Sequence, residues 1–165
     1  MERNLYLDKL IRRKNNGMIK VITGIRRSGK TYLLFELFYD YLIKSGIDKD
    51  HIIKIALDDR INKRYRDPDV LCEYVHNAVK DDDMYYVLLD EVQMVSEFED
   101  VLNSFLHLKN VDTYVTGSNA KFLSKDIITE FRGRGDQIHL FPLSFAEYML
   151  GRGIDRLQAW QEYTM

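Results

Sequence analysis

The stretch Val21-Ile22-Thr23-Gly24-Ile25-Arg26-Arg27-Ser28-Gly29-Lys30-Thr31 constrains the fold more than any other. An apolar run meets a loop with glycine at each end, then Lys-Thr, then an apolar pattern at helical spacing. The spacing is G-x-x-x-x-G-K-T, that of a phosphate-binding loop set between a strand and a helix. Each fixed position has a physical reason. Gly24 and Gly29 admit backbone angles that a Cβ hinders. Successive N–H groups of Gly24, Ile25, Arg26, Arg27, Ser28, Gly29, Lys30, Thr31 and Tyr32 can then turn towards an anion. Lys30 adds a point charge for the outer phosphates, and the Thr31 hydroxyl can complete a magnesium shell. The helix that begins here aims its positive dipole end at the same anion.

The rest of the chain alternates strand and helix patterns, as an α/β sheet requires. Met18–Thr23 is the first strand. Leu33, Leu34, Leu37, Phe38, Tyr41 and Leu42 form one apolar stripe of a helix, which Gly46 ends. His51–Leu57 reads as a strand, and Asp67-Pro68 as a helix start with a capping residue before a first-turn proline. Asp81-Asp82-Asp83 reads as a solvated turn. Met84–Leu89 is almost wholly apolar, the signature of a strand buried on both faces. Ser96 and Glu99 are spaced as a capping box for the next helix, and Val111–Thr116 is a fourth strand. A fifth, Gln137–Phe141, stops at Pro142, and Ser144 and Glu147 cap a last helix. The expected fold is a three-layer α-β-α arrangement of the P-loop NTPase type on a five-stranded, mainly parallel sheet. Three regions follow: an N-terminal arm over residues 1–17, a core over 18–143, and an incomplete helical lid or tail over 144–165.

Composition excludes several classes. A net charge of −2 over 165 residues gives no electrostatic case for nucleic acid as the partner of the whole chain. Arg12-Arg13-Lys14 and Lys63-Arg64-x-Arg66 are local basic exceptions and read first as solvated faces. One cysteine, Cys72, rules out an intramolecular disulfide, and its apolar helical setting reads as core filler. The first residues do not form a signal peptide, and no apolar run reaches membrane-spanning length. A cytoplasmic location is expected.

The second half of the site follows the third strand. Asp90, after an apolar run, suits the acid of a magnesium-nucleotide site, opposite Thr31. Glu91 adds a second carboxylate able to orient and deprotonate a water beside the γ-phosphate. Asn119, or Ser118, at the tip of the fourth strand is placed to hydrogen-bond that water or the phosphate. Ligands of such sheets collect at the C-terminal strand ends, where Gly24, Asp58-Asp59, Asp90-Glu91 and Ser118-Asn119 all fall.

This order of motifs resembles the AAA+ superfamily of ATPases. Gly24-Ile-Arg-Arg-Ser-Gly-Lys-Thr31, Asp90-Glu-Val-Gln93, Thr116-Gly-Ser-Asn119 and Pro142-Leu-Ser-Phe-Ala-Glu147 are similar to a prokaryotic branch, archaeal and bacterial, whose members usually carry a further C-terminal domain. The resemblance implies Walker A residues at Lys30 and Thr31, a Walker B pair at Asp90 and Glu91, and a sensor at Asn119. It implies ATP with Mg2+ as the cofactor pair; the choice of adenine rests on it alone. It also implies that Arg134, or the neighbouring Arg132, is an arginine finger for an adjacent subunit, so a homo-oligomer or a partner protein supplies part of the site. The chain departs from the pattern after its last helix, where Arg152 and Arg156 lie in a tail too short for a full lid.

The leading expectation is therefore an ATPase with Glu91 as base and Lys30, Asn119 and Arg134 as its other catalytic groups. A nucleotide-gated interaction module with little turnover, or a nucleic-acid-associated ATPase, are the alternatives. A small-molecule kinase fits less well, because the Asp90-Glu91 pair activates water that a kinase must exclude.

Overall fold

The computed structural model describes residues 4–118, 131 and 133–142. Strands β1 (Ile19–Thr23), β2 (Ile52–Ala56), β3 (Tyr85–Asp90), β4 (Val111–Gly117) and β5 (Gly135–His139) form one sheet in the order β2-β3-β4-β1-β5. Every pairing is parallel. The expected α/β sheet of five strands is present, and it is wholly parallel rather than mainly so.

Alternation along the strands sorts side chains into two cores. Val87 and Leu89 of β3, with Ile19 and Val21 of β1, meet Leu71 and Val75 of α4 (Pro68–Ala78) and Val101, Leu102 and Phe105 of α5 (Phe98–Phe105). Tyr86, Leu88, Ile22 and Tyr114 face the other way. They meet Leu10 of α1 (Asn4–Arg12) and the helical run after the loop, where Leu33, Leu34, Phe38 and Leu42 are fully buried. Each such side chain contributes roughly 1.5–3 kcal/mol by burial. These are the three layers. The helical run consists of α2 (Lys30–Tyr32), a π-helical segment Leu33–Phe38 and α3 (Tyr39–Lys44). Gly46 ends it with φ 94°.

Local chemistry sets most boundaries. Asp67 caps α4, accepting from the N–H groups of Asp69 at 2.9 Å and Val70 at 3.2 Å, with Pro68 in the first turn. The capping box is a correction. Helix α5 starts after Glu97, which takes φ 54° at the cap position, and no side chain caps the helix. The Ser96 N–H donates to the Arg66 carbonyl at 3.2 Å, which fixes the backbone there and moves the helix start past Ser96. Strand β5 also begins earlier than expected. Gly135 and Asp136 pair with Ile19 and Lys20, and Arg13 at 3.0 Å and Asn16 at 3.1 Å bond the Asp136 carboxylate there.

Of Arg12-Arg13-Lys14, Arg13 binds Asp136, Lys14 lies 5.3 Å from the Tyr41 ring centre, and Arg12 is exposed. Asp81-Asp82-Asp83 is an exposed turn, with His51 Nε2 3.4 Å from Asp81. Cys72 is half-buried against the core, its Sγ 3.4 Å from the Ser104 hydroxyl. Among the described residues, no helix is long and apolar enough to cross a membrane. Asn119, Arg132, Arg152, Arg156, the Ser144-Glu147 cap and the 144–165 tail lie outside the described residues.

Candidate active site

The loop lies at the C-terminal end of β1. Gly24 has φ 153°, and an added Cβ would stand 2.7 Å from both the Leu140 carbonyl oxygen and the Ser28 hydroxyl, so no larger residue fits. Gly29, at φ 92°, makes the left-handed turn into α2, and Arg27 takes a second left-handed turn at φ 65°. β5 supports the loop from below. Leu140 donates its N–H to the Thr23 carbonyl at 2.8 Å, and Gln137 donates to the Thr23 hydroxyl at 3.0 Å.

Lys30 is 3% exposed. Its ammonium donates to the carbonyls of Gly24 at 2.9 Å and Ile25 at 2.8 Å, and to the Ser28 hydroxyl at 3.4 Å. Burial lowers its pKa, and the charges of Glu91 and Asp90 oppose that shift.

The two halves of the site meet at Thr31 and Asp90. The Thr31 hydroxyl donates to Asp90 Oδ2 at 2.9 Å and Oδ1 at 3.1 Å. Asp90 is 2% exposed, and burial raises its pKa despite the hydroxyl donors. β4, which lies between β1 and β3, supplies the second donor: Thr116 Oγ1 reaches Asp90 Oδ1 at 2.6 Å. The same Thr116 oxygen accepts the Glu91 N–H at 3.0 Å. Hydroxyl and carboxylate oxygens form a hard donor set, and a buried carboxylate beside a hydroxyl fits a Mg2+ ion. Thr31 and Asp90 would hold it.

Glu91 begins the turn after β3 with φ 56°. Its carboxylate accepts from Gln93 Nε2 and from Ser118 Oγ, at 3.0 Å to Oε2 and 3.3 Å to Oε1. A cavity of about 570 Å3 lies between the loop and this carboxylate. Arg26, Arg27, Gly29, Lys30, Thr31 and Tyr32 line it, with Glu91 and Asp58 opposite. The volume suits a small-molecule ligand, and the mixed charges suit a phosphorylated one.

Arg134 is not brought to this cavity. It is exposed at the start of β5, where its carbonyl accepts the Ile19 N–H at 2.8 Å. Gly24 follows the other end of the adjacent β1, about 16 Å away at strand rise. Sequence reasoning missed two residues of the site. Thr116 reads as an ordinary strand residue until its neighbours in space are known. Gln93 was visible as a polar residue in an otherwise apolar turn.

A model of the AAA domain family matches residues 16–149. The chain belongs to that family. An uncharacterized protein of Haemophilus influenzae is 33% identical over 156 residues, which cover 94% of this chain and 39% of that protein. The chain thus spans about two-fifths of that relative's length. Two solved structures share the fold. A DNA polymerase III gamma subunit-related protein of Thermotoga maritima has a TM-score of 0.66 at 12% identity, covering 95% of this chain and 52% of that one. The Orc1 protein of Aeropyrum pernix, solved in complex with DNA, has a TM-score of 0.59 at 12% identity, covering 92% and 49%. The sequence expectation of an AAA+ P-loop core is met.

Proposed function

We propose that this AAA domain binds Mg·ATP and hydrolyses it. The observation that carries the reading is the contact of Thr31 with Asp90 beside Lys30, with Glu91 across one cavity. The loop amides and Lys30 bind the phosphates. Thr31 and Asp90 would hold a Mg2+ ion, which when bound would supply positive charge to the phosphate oxygens. Glu91 takes a proton from water. The water oxygen forms the new bond to the γ-phosphorus, the bond to the bridging oxygen breaks, and ADP leaves with that electron pair. Asn119 is assigned as a second contact to the water or the γ-phosphate.

Arg134 is assigned as a finger acting on a neighbouring subunit. Its exposure and its distance from the loop of its own chain support action between subunits. A finger of this kind is worth on the order of a thousandfold or more in rate. Regions 1–17 and 18–143 are read as arm and ATPase core, and 144–165 as the start of a lid.

The test is turnover as a function of protein concentration, with Glu91→Gln and Arg134→Ala beside the wild type. Glu91→Gln should bind ATP and lose hydrolysis. Specific activity should rise with concentration and lose that rise in Arg134→Ala. Wild-type turnover by Glu91→Gln removes the base, and flat activity that survives Arg134→Ala removes the finger. The alternative is a nucleotide-gated module with little turnover whose state is read by a partner. Firm ATP binding with no single-turnover hydrolysis selects it.

A further inference from the structure

Gln93 sits in the short 3-10 turn Val92–Met94 that follows Glu91. The left-handed backbone of Glu91 folds this turn back on itself, so residue 93 lies over residue 91. Gln93 Nε2 donates to Glu91 Oε2, the oxygen that also receives the shorter Ser118 bond. The carboxylate is therefore held asymmetrically. Among the described residues, Oε2 has two donors, and Oε1 has only the 3.3 Å contact with Ser118.

The other end of the same amide is unusual. Gln93 Oε1 is buried and has no hydrogen-bond partner among the described residues. Flipping the amide offers no relief, because it would set the carbonyl oxygen against the Glu91 carboxylate. A glutamine kept for structure satisfies both ends of its amide, since an orphaned buried acceptor is a cost to the fold. Among the described residues, Gln93 finds a partner only at the end that faces Glu91.

We propose that Gln93 is the positioning residue of the hydrolytic site: it anchors Glu91 Oε2 and leaves Oε1 as the oxygen that receives the proton of water. The inference rests on the reading of Glu91 as the base. Gln93 itself touches neither nucleotide nor water in this scheme and acts only through Glu91.

Gln93→Met tests it, because methionine keeps the length and packing of glutamine and removes both polar ends. ATPase kinetics, binding of a fluorescent ADP analogue and thermal melts are compared for the wild type, Gln93→Met, Glu91→Gln and the double variant. The kcat of Gln93→Met should fall by about 10- to 100-fold, the scale set by misplacing a catalytic group. KM and ADP affinity should stay within about twofold, since the loop is untouched. The melting temperature should hold or rise, because the orphaned acceptor is gone; a merely structural glutamine predicts a fall. Added to Glu91→Gln, the Gln93 change should cost nothing more. Full activity in Gln93→Met, an equal loss on the Glu91→Gln background, or a fall in melting temperature that accounts for the lost rate overturns the proposal. Wild type that binds ATP without hydrolysing it breaks the ATPase reading and this inference with it. Turnover in the wild type that Gln93→Met leaves unchanged breaks this inference alone.

Discussion

The two ends of the sheet each bury a lysine near an aspartate, and they use them in opposite ways. At the N-terminal strand ends, Lys20 and Asp112 are both nearly inaccessible and bond each other directly. Asp112 also accepts from the Asn15 N–H at 2.9 Å and the Tyr114 hydroxyl at 2.7 Å, and Lys20 donates to Asn16 at 3.1 Å and lies over the Tyr114 ring. That network closes on itself. At the C-terminal ends, among the described residues, Lys30 bonds only uncharged oxygens of its own loop, and the carboxylates of Asp90 and Glu91 bond hydroxyl and amide donors. Lys30 and Glu91 line an open cavity. Charges that neutralise each other in the fold hold it together. Charges kept apart by neutral donors remain available to a ligand.

This contrast breaks if the two ends respond alike to substitution. Asp112→Ala leaves an ammonium buried beside one amide oxygen and should cost roughly 3–5 kcal/mol in urea unfolding, the largest stability effect expected. Glu91→Gln should instead leave unfolding within about 0.5 kcal/mol and reduce kcat by about 100-fold or more. A stability loss at Glu91 as large as that at Asp112 would erase the difference. Lys30→Ala should weaken ATP binding, by roughly tenfold or more for a lost charge-assisted contact, as read by titration with a fluorescent nucleotide.

Asp90 sharpens the comparison through pH. Its raised pKa means that the folded chain holds this proton more tightly than the unfolded chain does. The stability gained in this way is complete in acid and is lost as pH rises through the folded value. Asp90→Asn does not titrate, so it should be the more stable protein at neutral pH, by about 1 kcal/mol. The gap should close as pH falls towards the ordinary carboxylate range. Thermal melts across that range check the sign, and added Mg2+ should stabilise the wild type but not the variant. The smallest effect is expected at Arg13, whose pair with Asp136 is partly exposed: Arg13→Ala should cost under about 1 kcal/mol.

The sequence was most legible where chemistry dictates residue types along one stretch of chain. Gly24, Gly29, Lys30 and Thr31 occupy fixed spacings because phosphate geometry demands them. Asp90-Glu91 stands out because two acids end an apolar strand. The cap at Asp67 was readable for the same local reason. What stayed hidden depends on neighbours in space. Thr116 serves two acids only because β4 lies between β1 and β3, an order that no local pattern encodes. Ser96-x-x-Glu99 has the spacing of a capping box, yet a bond from Ser96 to distant Arg66 decides where that helix starts. Asp136 joins a strand against its own propensity, with its carboxylate bonded by Arg13 and Asn16, both far away in sequence.

The tight fit of Gly24 against Leu140 couples two parts of the chain mechanically. The phosphate loop rests on the exit of β5 with no room for a methyl group between them. Leu140, at the exit of β5, is thus held against the loop, and a displacement of the loop at Gly24 would press on its backbone. The loop and the last strand are linked there by a steric contact of backbone on backbone, with no side chain needed as messenger.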